Sequence, residues 1–202
     1  MEDYRKKKAW VLENEGSFAR AVALGVIVKR PPSPWHFLLP GMFLFDFLRR
    51  SSETQRYSDL FLFPRKLALD GALNILNGED RKEILSRIEG DIKRWLVSLN
   101  LYSEKLHHKQ MDVIDLLIDH YSRMLRAQGN DYPGLIKDAY RTRESYEAYL
   151  RRLGTAEQEM DPAIVEVRGK TEEIVDRLRA EQAQVTELRT KEVNRIFSRT
   201  GS

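Results

Sequence analysis

Residues 31–50 have the sequence PPSPWHFLLPGMFLFDFLRR and contain four of the eight phenylalanines of a 202-residue chain. We call this stretch the apolar segment. Between Trp35 and Leu48 only His36 and Asp46 are polar, so a helix formed here would be apolar on all sides. Such a helix is typical of a protein core or of a lipid environment. The apolar segment is therefore the feature around which the rest of the chain must be arranged.

The length of the apolar segment limits what it can do in a membrane. The run from Trp35 to Leu48 reaches only ~21 Å as a helix, whereas a bilayer core of ~30 Å needs about 20 residues. A single transmembrane span is not expected. An interfacial or re-entrant segment kinked at Pro40-Gly41 is one prediction, and burial in a core or at an oligomer interface is the other.

The chain's positive charge is concentrated around the apolar segment. Residues 1–66 contain 12 Lys and Arg against 7 Asp and Glu, a net +5, while the remaining residues contain 22 against 24, a net −2. A basic excess beside apolar residues favours an anionic membrane surface or an acidic partner over a nucleic-acid groove. Nucleic-acid binding is not expected, because the basic pairs form no continuous face.

Two groups of contact residues follow from this pattern. The candidate membrane or partner contacts are apolar: Trp35, Phe37, Leu38, Phe43, Phe45, Phe47 and Leu48. The candidate contacts to lipid headgroups or to an acidic partner are basic: Lys6, Lys7, Lys8, Lys29, Arg30, Arg49 and Arg50.

The first half of the chain alternates between helical and polar patterns. Residues 2–29 have an imperfect amphipathic pattern that predicts a helix, which the prolines from Pro31 onward stop. Residues 51–59, SSETQRYSD, are expected to be a polar connection. Pro64 then predicts the first turn of a new helix that ends at Asn77-Gly78.

The middle of the chain has the clearest helical periodicity. Asp80 with Glu83 resembles a capping box, and apolar residues follow at helical spacing from Ile84 to Leu125. One long bent helix or two helices with a break near residues 103–108 would fit this pattern. A further helix is expected from residue 131 until Gly154 stops it.

The C-terminal part predicts one helix over about residues 163–198 with coiled-coil-like spacing. It would pack within the chain or pair with a second copy to give a homo-oligomer. No strand signal is present, so we predict an all-α, elongated helical bundle with a short apolar N-terminal helix or hairpin. The expected units are residues 1–63, residues 64–154 as the helical body, and residues 155–202 as the long helix.

Signals for catalysis and cofactors are weak. The face formed by His108, Asp112, Asp115 and Asp119 presents metal-ligand types at helical spacing, but it also fits an ordinary solvated face. No metal site or cofactor is therefore predicted, and whether this face binds a metal is left open. The chain has no cysteine and no Gly-x-Ser-x-Gly motif, so no catalytic residue is expected.

The sequence therefore predicts a non-enzymatic helical scaffold or adaptor, attached to a membrane surface through the apolar segment. The alternative is a soluble assembly subunit that buries this segment in its core or at an oligomer interface. No signal peptide is expected, because Glu13 and Glu15 interrupt the run after the basic residues 5–8. The expected location is the cytoplasm or the inner face of a membrane.

Overall fold

The computed structural model describes the backbone of residues 2–28 and 42–198, and the side chains of residues 2–26 and 53–198. These residues form eight α-helices and no strand, which confirms the predicted all-α bundle. The helices are α1 (Glu2–Val28), α2 (Met42–Leu76), α3 (Arg81–Ser98), α4 (Glu104–Arg126), α5 (Tyr132–Tyr140), α6 (Arg143–Gln158), α7 (Asp161–Arg168) and α8 (Glu172–Phe197).

Helix α4 forms the centre of the main hydrophobic core. It contacts α1, α2, α3, α5, α6 and α7. Its apolar residues recur at helical spacing as predicted, and each fully buried aliphatic side chain stabilises the fold by roughly 1.5–3 kcal/mol. The buried residues of this stripe are Val113, Ile114, Leu117, Ile118, Tyr121 and Leu125.

Helices α3 and α4 are two separate helices, which decides between the two predicted alternatives. The break lies at residues 99–103, slightly earlier than expected, where Asn100 adopts a positive φ of 54°. The Ser103 side chain accepts a hydrogen bond from the Leu106 backbone N–H and starts α4. Asp80 caps α3, as its position in the sequence predicted.

Helix α2 is longer than predicted. Residues 51–59 continue the helix instead of forming a connection, and Pro64 lies inside it instead of at its start. The expectation was wrong because this polar stretch packs along α1, which favours the helix. Its side chains also pair one turn apart, as where Gln55 donates to Asp59 at 3.0 Å. The expected boundary at residue 63 thus lies within α2.

The helix predicted over residues 131–153 is divided into α5 and α6. Arg141 takes a positive φ of 63° between them, and the Thr142 N–H bonds the Tyr140 carbonyl at 2.7 Å. Thr142 then caps α6. Gly154 does not end the helix, which continues to Gln158, so the expected boundary at residue 154 lies inside α6.

The single C-terminal helix predicted over residues 163–198 is also divided. Gly169 ends α7 with a φ of 84°, and the Thr171 side chain accepts from the Ile174 N–H to begin α8. Coiled-coil pairing with another copy stays a prediction. Within the chain, α8 already buries three apolar side chains: Val185, Val193 and Ile196.

The relative directions of α1, α2 and α8 set the positions of the functional regions. Three contacts show that α1 and α2 are antiparallel: Lys8 with Asp70, Glu15 with Arg65, and Phe18 with Phe61. By this register Val28 lies opposite about residue 51. Helix α8 is antiparallel to α1, because Gly25 lies beside Gln184 and Glu15 lies near Glu192.

Candidate functional site

The apolar segment is only partly within the described residues. Six of its predicted contact residues lie in α2, where the structure describes their backbone but not their side chains: Phe43, Phe45, Phe47, Leu48, Arg49 and Arg50. Five other predicted contact residues lie outside the described residues altogether: Trp35, Phe37, Leu38, Lys29 and Arg30. Helix α1 ends at Val28, shortly before the segment, and α2 begins at Met42, inside it. The segment is therefore connected to two helices that are antiparallel neighbours.

The backbone of α2 extends beyond the end of α1. Since Val28 lies opposite about residue 51, residues 42–50 continue ~14 Å past the last residue of α1. The main core includes residues of α2 from about Phe63 onward. Met42 therefore lies ~31 Å along the helix axis from the nearest part of that core.

The predicted basic residues divide between two distant places. Lys6, Lys7 and Lys8 are on the first turns of α1, and Lys6 lies ~33 Å along the helix from Val28. They do not share an end of the helix with Lys29, which follows α1 directly in the sequence.

The three N-terminal lysines also have different surroundings. Lys7 is only 5% exposed, and its ammonium donates to the Leu125 carbonyl at 3.3 Å, so it belongs to the interior rather than to a contact surface. Lys8 is paired with Asp70. Lys6 is exposed, with its ammonium 5.0 Å from the centre of the Trp10 ring.

A buried ionic network connects five helices in the middle of the molecule. Arg65 donates to Glu157 at 2.8 Å and lies 3.1 Å from Glu15. Arg189 contacts both carboxylate oxygens of Glu157, at 2.9 and 3.0 Å, and the Tyr121 hydroxyl donates to Glu15 at 2.7 Å. Two cations and two anions therefore neutralise one another away from water.

The network shifts the pKa values of Arg65, Arg189 and Glu157 towards the charged forms. Burial alone lowers the pKa of Arg65, but attraction to Glu157 and Glu15 outweighs it and raises that pKa above its ordinary value. Burial raises the pKa of Glu157, but Arg189 and Arg65 outweigh it and lower that pKa. Arg65, Arg189 and Glu157 are thus held ionised at neutral pH.

The sequence contained a signal for this network that the prediction did not use. Arg65 occupies a helical position between the apolar Phe61 and Leu69, and Arg189 occupies one between Val185 and Val193. Glu15 and Glu157 interrupt apolar stripes in the same way. A charged residue of each sign on the buried faces of several helices predicts that these helices pair.

An aromatic cluster surrounds His120, which is 4% exposed. The His120 Nδ1 lies 2.6 Å from the Tyr140 hydroxyl, and its ring stacks on Tyr149 with a centroid distance of 4.3 Å. Burial, followed by repulsion from Arg123 and two further arginines, lowers the pKa of His120 to about 3. His120 is therefore a neutral interior residue.

The polar face of α4 is occupied by ion pairs. Arg81 donates to Asp115 at 2.7 Å and to Asp119 at 2.8 Å. His108 lies 4.0 Å from Asp112, which Lys109 also approaches. Within the described part of the chain, no group of three or more His, Asp or Glu side chains is placed to hold a metal ion.

A cleft of about 280 Å³ lies between α2, α3, α7 and α8, beside the ionic network. Its walls are largely apolar and partly exposed, with Phe61, Trp95, Leu101, Ile164, Leu178 and Val185 among them. Polar side chains gather at one part of the lining: Tyr57, Asp161, Glu181 and Gln182. An apolar cavity with a few convergent polar groups is the usual form of a small-molecule site.

Comparison of the chain with protein-family models, curated proteins and solved structures gave no match. Among the described helices, none has a stretch long and apolar enough to cross a bilayer. We therefore argue function from the residues and their placement alone.

Proposed function

We propose that this chain is a non-enzymatic helical scaffold that attaches to an anionic membrane surface through the apolar segment, residues 31–50. One observation carries the proposal: the backbone of α2 extends residues 42–50 past the end of α1. Residues 42–50 thereby lie at one end of the α1–α2 pair, beyond the small apolar cluster that Tyr57 and Phe61 form with Val22 and Val26.

Distance from the main core favours an occupant outside the body. Residues 42–48 contain only one charged residue, Asp46, yet they begin ~31 Å along α2 from the part of the helix that serves that core. Apolar side chains at such a position need a cover that the main core does not provide. Lipid is favoured because two basic pairs, Lys29-Arg30 and Arg49-Arg50, flank the segment.

The experiment is flotation of the full chain with vesicles, using phosphatidylcholine alone and phosphatidylcholine with phosphatidylserine. We expect flotation with the anionic vesicles, and loss of most of it in Phe43→Asp, because an acid resists burial in lipid and is repelled by anionic headgroups. Circular dichroism should show an unchanged helical body. Val97→Asp is the matched control, since Val97 is a 54% exposed apolar residue on α3.

The competing function makes a different prediction in the same experiment. If the segment forms an oligomer interface, the chain remains in the bottom fraction, and Phe43→Asp changes its mass in light scattering. If the segment belongs to the chain's own core, Phe43→Asp unfolds the protein. Either result would contradict membrane attachment.

A further inference from the structure

We propose that the cleft between α2, α3, α7 and α8 binds a small organic monocation, an apolar body carrying one protonated amine, with the ammonium held by Glu181 and Asp161. This inference is independent of the apolar segment and of membrane attachment. It rests on the shape of the cleft, on the composition of its walls and on the balance of charges along its lining.

The apolar walls fit the body of such a ligand. Trp95, Ile164 and Leu178 come from three different helices, and each remains partly exposed along the cleft. Covering partly exposed aromatic and aliphatic surface with an apolar ligand releases free energy at about 25 cal/mol per Å². A volume of about 280 Å³ lies near the lower end of ligand pockets, which selects a small molecule.

Apart from the ionic network, the lining of the cleft carries one more negative charge than positive charge. Arg65 and Arg189 are already neutralised by Glu157 and Glu15 in the ionic network. Three charged lining residues then remain: Asp161, Glu181 and Arg177. Two carboxylates thus face a single guanidinium, and a monocation would restore neutrality.

Arg177 is also poorly placed to neutralise both acids. Its guanidinium lies 5.6 Å from the centre of the Tyr57 ring, and the side chain is exposed. It also lines an adjoining opening that contains Glu173 and Asp176. Arg177 therefore lies at the exposed mouth of the cleft, where solvent screens its attraction to Glu181.

The two acids lie in a buried environment that disfavours their charged forms. Burial, with added repulsion from Glu157 and Asp161, raises the pKa of Glu181, and burial with repulsion from Glu157 raises the pKa of Asp161. The Tyr57 hydroxyl is buried close to Glu181 but outside good hydrogen-bonding geometry. A bound ammonium would give these oxygens a donor that the described residues only partly supply.

A route into the cleft is visible. The adjoining opening of about 600 Å³ shares Tyr57, Leu60 and Arg177 with the cleft. A ligand entering from this side meets Arg177 first and Glu181 deeper in the cleft. The charged residues that line the opening are balanced, three arginines against three acids, so selection against an anionic ligand comes from Glu181 and Asp161 inside the cleft.

The test uses three probes with six carbons each: hexylamine, hexanol and hexanoate. Binding to the full chain is followed by NMR titration, with the Trp95 indole signal reporting on the cleft wall. We expect hexylamine to bind about tenfold more tightly than hexanol, since a hydrogen bond between charged groups is stronger than one from a neutral hydroxyl. Hexanoate should bind more weakly than either.

Substitutions of the two acids test where the ammonium group binds. Glu181→Gln should bring the affinity for hexylamine within about twofold of that for hexanol, while leaving hexanol binding unchanged. Asp161→Asn should give a smaller loss, because Gln182 already donates to Asp161. Glu187→Gln removes the same charge from an exposed position on α8 and should change nothing.

Three results would overturn the proposal. Hexanoate could bind as tightly as hexylamine, hexylamine could keep its affinity in Glu181→Gln, or the Trp95 signal could remain unmoved by saturating hexylamine. None of these results depends on vesicle flotation, so failure here leaves the membrane proposal standing, and the reverse is also true.

Discussion

Glu157 shows how a single residue can join the elements of this bundle. Its carboxylate accepts from Arg65 of α2 and from Arg189 of α8, and its own backbone belongs to α6. Burial of one such charge without a partner is strongly unfavourable, whereas the complete set neutralises itself. The interaction is specific to one arrangement of the helices, because only that arrangement brings all the charges together.

The first prediction concerns this carboxylate. Glu157→Gln keeps the shape of the side chain but leaves two buried guanidinium groups with Glu15 as their remaining anion. We expect a loss of about 3–5 kcal/mol in the free energy of unfolding, the range found when one partner of a buried ion pair is removed. Urea unfolding followed by circular dichroism measures it.

Glu159→Gln is the matched control for that prediction. Glu159 is two residues away, is 51% exposed and forms a surface ion pair with Lys109. Its removal should cost less than about 1 kcal/mol, because solvent screens exposed pairs. Equal losses in the two variants would show that the buried network contributes no more than a surface pair.

At the level of elements, a side chain added at two glycines would meet very different surroundings. A Cβ at Gly129, between α4 and α5, would lie 2.6 Å from the Leu135 nitrogen and 2.7 Å from the Gly134 carbonyl carbon. These are backbone atoms that cannot move without shifting α5. A Cβ at Gly90, inside α3, would meet nothing closer than the end of the Arg94 side chain at 3.7 Å.

The second prediction therefore pairs Gly129→Ala with Gly90→Ala. Gly129→Ala should lower the stability by about 1–3 kcal/mol, as other overpacked sites do. Gly90→Ala should raise it by up to about 1 kcal/mol, because alanine favours a helix over glycine. For a chain of this size each kcal/mol corresponds to roughly 2–4 °C in Tm, so calorimetry should find shifts of opposite sign. Shifts of the same sign would contradict the packing described for Gly129.

The elements also show what the sequence alone can determine. The stripe of α4 and the Asp80 cap of α3 were predictable, because their apolar spacing and capping residue are local signals. The continuity of α2 through residues 51–59 was not predictable from local signals. A polar stretch of this composition suits a loop or an exposed helix, and the packing of α2 along α1 decides between them.

The ionic network and the cleft could not be predicted from the sequence for a related reason. Each depends on residues from helices that are far apart in the chain, as Glu15, Glu157 and Arg189 show. Local periodicity predicts which face of a helix is buried, but not which other helix it meets. Complementary charges on buried faces were the available signal, and they indicate pairing without giving the register.

For the whole molecule, the antiparallel α1–α2 pair separates two basic regions. Lys6 lies ~33 Å along α1 from Val28, which is several times the Debye length of ~8 Å at physiological ionic strength. Arg49 belongs to the apolar segment itself, in the part of α2 beyond the end of α1. If the membrane contacts only that end, the two residues should contribute very differently.

The last prediction compares Lys6→Glu with Arg49→Glu, which change the net charge of the chain equally. Arg49→Glu should weaken partition onto anionic vesicles about tenfold or more, since each basic residue near such a surface contributes ~1 kcal/mol and an acid is repelled. Lys6→Glu should change partition by less than about twofold, because salt screens a charge at that distance. Sedimentation with vesicles in 0.15 M salt measures both. Equal losses would mean that α1 lies flat along the membrane with its whole length in contact, and the end-on attachment proposed here would then be wrong.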